Sequence, residues 1–146
     1  MLIHGRCHCG NISFRLDWRP DPIEIPARVC DCSFCQKHQG AWTSNPEASL
    51  EVEVAQASKV SKYAFGSGTA LFHVCARCGV VPVVTSDIEG RTYAVVSVNA
   101  FDGAAASLLR RTPTSFEGEE VASRLRRRTR NWIADVKFIE HREDAP

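Results

Sequence analysis

Three short cysteine clusters constrain this chain more than any other feature. They are Cys7-His8-Cys9-Gly10, Cys30-Asp31-Cys32-Ser33-Phe34-Cys35 and Cys75-Ala76-Arg77-Cys78-Gly79. The middle cluster puts three thiols within six residues, too tight for a disulfide framework and well suited to one metal ion. Seven cysteines leave one thiol over in any complete disulfide pairing. C-x-C and C-x-x-C spacings in a reducing compartment point to metal instead. Zinc takes four tetrahedral ligands in a structural site, and three protein ligands plus an open position in a reactive one.

Each outer cluster offers two thiols followed by a glycine, which suits a tight turn because glycine tolerates positive φ. Cys7 and Cys9 with Cys75 and Cys78 therefore make a closed four-thiolate centre that ties the start of the chain to its middle. Cys30, Cys32 and Cys35 then form a separate three-thiolate centre with an open position. The competing pairing joins one outer cluster to the central one and strands two thiols.

The intervening segments read as strands. Ile12, Phe14 and Leu16 alternate with polar residues, as do Leu50, Val52 and Val54. Glu24 to Val29 runs extended into the central cluster, and Ser33 to Gln39 suits a short helix over the metal. Lys59 to Phe65 and Ala70 to Val74 are further strands, the second leading into Cys75. Pro82, within a valine-rich run, implies an edge or a bulge because proline cannot donate a ladder hydrogen bond. Asp87-Ile88-Glu89-Gly90 reads as a hairpin turn before the clearest strand, Arg91 to Asn99. In the last third, Ala104 to Arg110 suggests a short helix and Glu119 to Arg130 a longer one. Acids at the start and arginines toward the end of that helix suit its dipole. Val121, Leu125 and Trp132 would form its apolar stripe against the sheet. Trp132 to Ile139 turns extended again, and His141 to Pro146 is a polar tail. Trp18 and Trp132 read as core.

At 146 residues, with 44% hydrophobic and 24% charged residues, the chain suits a single globular domain over residues 1–146. A formal net charge of +1 gives no reason to expect nucleic acid as a partner. No apolar run approaches the roughly 20 residues of a membrane-spanning helix, and the first residues lack a signal-peptide core. A cytoplasmic protein is expected.

The order C-H-C-G, C-x-C-x-x-C, then C-x-x-C-G after a strand resembles the glutathione-dependent formaldehyde-activating enzyme family, to which centromere protein V belongs. Gly40 shortly after the central cluster and Val98-Asn99 after the long strand also match. The resemblance runs from about Cys7 to Asn99 and more loosely beyond. It implies a mainly β domain of antiparallel sheets, the β-tent fold, around a structural zinc, with one or two short C-terminal helices. It also implies Cys7, Cys9, Cys75 and Cys78 on the structural zinc and Cys30, Cys32 and Cys35 on a catalytic one. The implied partners are a thiol such as glutathione and an aldehyde, and the implied activity is that of a carbon–sulfur lyase of the S-(hydroxymethyl)glutathione synthase type. The arginine-rich helix is not a general feature of the family.

Zinc with three thiolates is a weak Lewis acid for generating hydroxide, but it can take a fourth thiol and lower its pKa. Attack of that sulfur on a carbonyl gives a hemithioacetal. Lys37 and His38 could move a proton, though the plainer expectation is that both face solvent. His38 is also a conceivable fourth ligand at C-x-x-H spacing. His8 and His73 are expected to make local hydrogen bonds. Trp42 either walls the pocket or fills the core. Arg124, Arg126, Arg127, Arg128 and Arg130 spread around a helix, which favours a solvated helix paired with Glu119 and Glu120. A subsidiary option is that some of them hold the carboxylates of a peptide-like substrate. Two other functions compete: a non-catalytic zinc-stabilised binding module, and a thiol-rich sensor that would need exposed, low-pKa cysteines.

Overall fold

Alternation of apolar and polar side chains builds two sheets, and the thiols sit where strands end. In the computed structural model, which describes residues 1–142, the chain forms β1 (Leu2–Arg6), β2 (Ile12–Asp17), β3 (Ile25–Cys30), a short helix α1 (Ser33–His38), β4 (Ala41–Thr43) and β5 (Ser49–Val54). It continues through β6 (Val60–Tyr63), β7 (Leu71–Cys75), β8 (Val83–Ile88), β9 (Arg91–Ser97), β10 (Phe101–Asp102) and β11 (Leu109–Thr114). Helix α2 (Val121–Asn131) and β12 (Asp135–Glu140) follow.

One sheet has five strands in the order β10-β1-β2-β5-β12, and the other has seven in the order β11-β3-β4-β9-β8-β7-β6. The fold is thus mainly β, as expected. Pairing is antiparallel except at two edges, where β12 runs parallel to β5 and β11 parallel to β3. Both parallel edges come from the last third of the chain, so each sheet is mixed.

The inner strands β8 and β9 of the seven-stranded sheet are buried on both faces, which explains the unbroken run of buried residues from Val81 to Ser86. Val83, Ala94 and Val96 point to one side and pack with Ile3, Phe14, Leu16, Leu50 and Val52 of the five-stranded sheet. Their neighbours Val84, Tyr93 and Val95 point to the other side, with Trp42, Phe72, Trp132 and Cys35. At roughly 25 cal/mol per Å² of apolar area removed from water, these two layers are the main source of stability. The second layer forms the floor of the site described below.

Three details depart from the sequence expectation. Pro82 is fully buried and immediately precedes β8, an internal strand; its carbonyl accepts from Ser97 N–H, so it marks a strand start instead of an edge. The helix expected over Ala104 to Arg110 is a 3₁₀ segment, Ala104–Leu108, followed by β11. The apolar stripe on α2 does not form: Val121 is 47% exposed and Leu125 half-buried, and only Trp132, beyond the last helical turn, is buried. The helix instead turns Arg128 inward, where its Nη1 donates to Ser86 Oγ of β8. Of the polar tail expected from His141 to Pro146, the His141 N–H bonds the Val54 carbonyl, and residues 143–146 lie outside the described residues. No helix among the described residues is long and apolar enough to cross a membrane.

Candidate functional site

The two outer cysteine clusters fold into matching turns. Cys7 N–H donates to the Ile12 carbonyl and Gly10 N–H to the Cys7 carbonyl; Cys75 N–H donates to Val80 and Gly79 N–H to Cys75. Gly10 and Gly79 sit at φ +84° and +81°, as their place after the second thiol predicts. The two turns meet face to face. The sulfurs of Cys7, Cys9, Cys75 and Cys78 all lie within 4.8 Å of one another. Cys7 Sγ stands 3.8 Å from Cys9 Sγ, which is 3.5 Å from Cys75 Sγ. A tetrahedron with metal–sulfur bonds of about 2.3 Å has edges of about 3.8 Å, so this donor set fits a metal ion of zinc's size. Every cysteine is a free thiol. Burial pushes the Cys7 thiol up to about 12. Burial also opposes ionisation of Cys78, but backbone N–H groups and the neighbouring thiols outweigh it and bring Cys78 down to about 6.

The central cluster is built at the junction of β3 and α1. Cys30 is the last residue of β3, Cys32 caps α1, and Cys35 is buried one turn in. Cys32 Sγ accepts from the Cys35 N–H at 3.4 Å, and Trp42 Nε1 donates to Cys35 Sγ at 3.3 Å. Asp31 N–H is held by the Thr114 carbonyl of β11, so the edge strand fixes the loop between the first two thiols. The three sulfurs lie within 4.8 Å of one another, and among the described residues no histidine, carboxylate or further thiol joins them. The Cys35 thiol stabilises Cys30 as thiolate and brings it to about 6, while its own ionisation is suppressed by that neighbour and by burial. Gly40 packs tightly here: a Cβ on it would lie 3.0 Å from Trp42 Nε1 and 3.3 Å from Cys35 Cβ.

These three thiols open onto a cavity of about 640 Å³, a size typical of small-molecule sites. Trp42, Phe72 and Trp132 form an aromatic wall, and Arg28, Arg124, Arg127 and Arg128 form a basic one. Glu119 accepts from Arg124 Nε at 3.3 Å and from Arg127 Nε and Nη2 at 3.0 Å each; chiefly the bond from Arg127 holds its carboxyl below the usual carboxylate range. Arg127 lies over the Phe116 ring at 3.6 Å from its centroid. Arg128 is buried and stacks on Trp132, and burial pulls its guanidinium down to about 10. A shallower groove lined by Gln39, Asn99 and Arg111 reaches Cys30 and Cys35 from another side.

The structure thus brings the seven expected ligands into two groups with the expected membership. It keeps His38 out of the second: His38 is exposed and lies against the Phe34 ring. Lys37 and His8 are exposed. His73 is buried, bonds Thr85 Oγ1 through Nε2 at 2.8 Å, and is pushed down to about 4 by burial. Trp42 both fills the core and walls the cavity. The expected ion pairs form from Arg124 and Arg127 to Glu119, but the expected solvation fails at Arg124, Arg127 and Arg128, whose spacing of three and four places them on one partly buried face; Arg126 and Arg130 remain exposed. Sequence reasoning missed Arg28. Its place two residues before Cys30 on one strand puts both on the same face, and that was the available signal.

No curated protein gives a significant match. Among solved structures, the chain is similar to a crystal structure of a Rhodobacter sphaeroides protein, with 25% identity and a TM-score of 0.54 over 76% of this chain and 99% of that one. Residues 2–116 match the sequence model of the glutathione-dependent formaldehyde-activating enzyme family. That span contains all three cysteine clusters and stops short of α2. On this match the chain belongs to the glutathione-dependent formaldehyde-activating enzyme family.

Proposed function

We propose that the chain is a cytoplasmic zinc-dependent carbon–sulfur lyase acting on an adduct of a thiol and an aldehyde, of the S-(hydroxymethyl)glutathione kind. In this reading residues 1–146 form one zinc-binding domain. Cys7, Cys9, Cys75 and Cys78 hold a structural zinc, and Cys30, Cys32 and Cys35 hold the reactive one. The observation that carries the reading is the three-sulfur group without a fourth protein donor, opening onto a cavity large enough for a small peptide. Family membership supports the choice of thiol and aldehyde.

When bound, the metal supplies the charge that lowers the pKa of an incoming thiol. The rest falls to the chain. The aromatic wall excludes water from the reacting sulfur. Trp42 Nε1 steadies charge on Cys35 Sγ and so keeps three thiolates tolerable side by side. In the forward direction the substrate sulfur forms a bond to the aldehyde carbon. The carbonyl π pair moves to oxygen, which takes up a proton equivalent to the one the thiol released. In reverse the carbon–sulfur bond breaks and aldehyde and thiol return. Lys37 and His38 do not line the cavity, so neither is assigned the proton.

Zinc stoichiometry with zinc-edge absorption, with and without glutathione, tests the reading. Two zincs, with added sulfur coordination at one of them on adding glutathione, is the expected result. Two zincs with unchanged coordination would favour a non-catalytic zinc-stabilised binding module.

A further inference from the structure

The turn that closes α1 holds a residue in an unfavourable conformation and supplies a partner for it. Gln39, directly after the helix, sits in the left-handed region at φ 53° and ψ 41°. That region is unfavourable for residues other than glycine and, at times, asparagine or aspartate. Among the described residues one other non-glycine has positive φ, Glu89, and it shares the β8–β9 hairpin turn with Gly90, where such angles are the rule. At the end of α1 the glycine stands one place later. Gly40 is where a Cβ would press on the Trp42 indole and on Cys35. Close packing takes the glycine, and the left-handed position falls to a glutamine.

This turn grips Cys35. The N–H groups of Gln39 and Gly40 both donate to the Cys35 carbonyl, the second at 2.8 Å. Trp42 Nε1, against Gly40, donates to the Cys35 sulfur. Asn99 completes the arrangement from outside. Its Nδ2 donates to the Gln39 carbonyl at 3.1 Å, and its Oδ1 accepts from Arg111 Nη2 at 3.0 Å. A guanidinium offers only donors, so Arg111 fixes which end of the amide faces the turn. Asn99 follows β9 and Arg111 lies on β11, on either side of the β3–β4 pair that α1 connects.

We propose that Asn99 is a positioning residue for the three-cysteine centre: by holding Gln39 in its left-handed turn it sets where Cys35 stands relative to Cys30 and Cys32, and so the affinity of that centre for metal. The inference rests on the proposed metal at these three thiols and not on the lyase chemistry. Both bonds of Asn99 are exposed, so water competes with them and the effect is moderate.

The test is stepwise removal of zinc from the zinc-loaded full chain by a competing chelator, which gives an affinity for each centre. Asn99→Ala is expected to weaken one zinc about tenfold, the lower end for hydrogen bonds that orient metal ligands, and to leave the other unchanged. In a Cys32→Ser background, which keeps only the four-cysteine zinc, Asn99→Ala is expected to change nothing. Asn99→Asp still accepts from Arg111 but has no proton for the Gln39 carbonyl, and is expected to behave like Asn99→Ala. Glycine takes a positive φ without strain, so adding Gln39→Gly is expected to restore the affinity lost in Asn99→Ala. A general contribution of Asn99 to folding would not be rescued that way. Equal weakening at both centres, no weakening, or a loss that Gln39→Gly does not repair overturns the proposal. A single zinc in the unaltered chain would remove the second metal and this proposal with it. Selective weakening in Asn99→Ala, in a chain whose zinc gains no sulfur from glutathione, keeps the positioning role and removes the lyase reading.

Discussion

The two cysteine centres use the same ligand atom and differ in almost everything around it. The four-cysteine centre is made by two turns that are nearly copies of each other, with each first thiol buried at a strand boundary. Its ligands lie up to 71 residues apart, Cys7 to Cys78, so a metal there closes a long loop. The three-cysteine centre takes all its ligands from one six-residue stretch and closes no loop of consequence. Its sulfurs face a cavity instead of one another's backbone. On the proposed reading, the same ligand chemistry would serve folding where the cysteines are distant and leave room for reaction where they are local.

Breaking the first centre should have the largest effect. Cys75→Ser is expected to remove a large part of the roughly 10–16 kcal/mol that a structural zinc contributes, seen as loss of the cooperative melt and of bound zinc. A variant that melts normally with full zinc content would erase the contrast between the centres. Cys32→Ser should lower zinc content by about one ion while near-ultraviolet circular dichroism and the melt change little; a collapsed fold would make the central cluster structural too.

A smaller effect is expected from Gly40→Ala. The new methyl would press on Trp42 and Cys35, costing about 1–3 kcal/mol as overpacking usually does. Metal should be lost from the three-cysteine centre first, which sulfur coordination numbers from absorption spectra would reveal. Equal loss from both centres would mean that they are mechanically linked.

The smallest effect sharpens the contrast by pH. Glu119, whose carboxyl is held below its ordinary value chiefly by Arg127, contributes stability above about pH 4.5 that is lost as pH falls through its folded pKa. Glu119→Gln should therefore destabilise the chain at neutral pH by about 1 kcal/mol, and the gap from the unaltered protein should narrow in acid. Since both proteins shed zinc alike at low pH, the difference between their melting temperatures isolates the carboxylate. A gap that stays constant with pH would show that packing, not charge, holds the cavity's basic wall.

Much of this was legible because metal ligands and buried strands leave strong local patterns. The cysteine spacings, the glycines after the outer clusters and the alternation in β2, β5 and β9 each name their own structure. The family resemblance pointed to the same ligand sets as the spacing. What escaped was set by distant partners. Strand β11, Leu-Arg-Arg-Thr-Pro-Thr, has no burial pattern of its own, because an edge strand is held by backbone bonds to β3 that any side chains permit. Helix α2 misled in the opposite way. Val121 and Leu125 gave it a plausible apolar face, but the seven-stranded sheet offers the Ser86 hydroxyl, with Thr69 beside it, as well as valines, and Arg128 finds partners there. An arginine aimed inward cannot be told from one aimed outward until its receptor is known. Taking the five arginines as one set also hid the three that share a face.

All seven thiols have left the ribosome once residue 78 has, yet the hydrogen bond that sets the loop at Asp31 comes from Thr114, and Arg127, Arg128 and Trp132 come later still. The ligands of the central cluster are adjacent in sequence, while the chamber around them depends on contacts of high sequence separation, which form slowly. A growing chain therefore carries all seven of its thiols well before it owns the cavity around three of them.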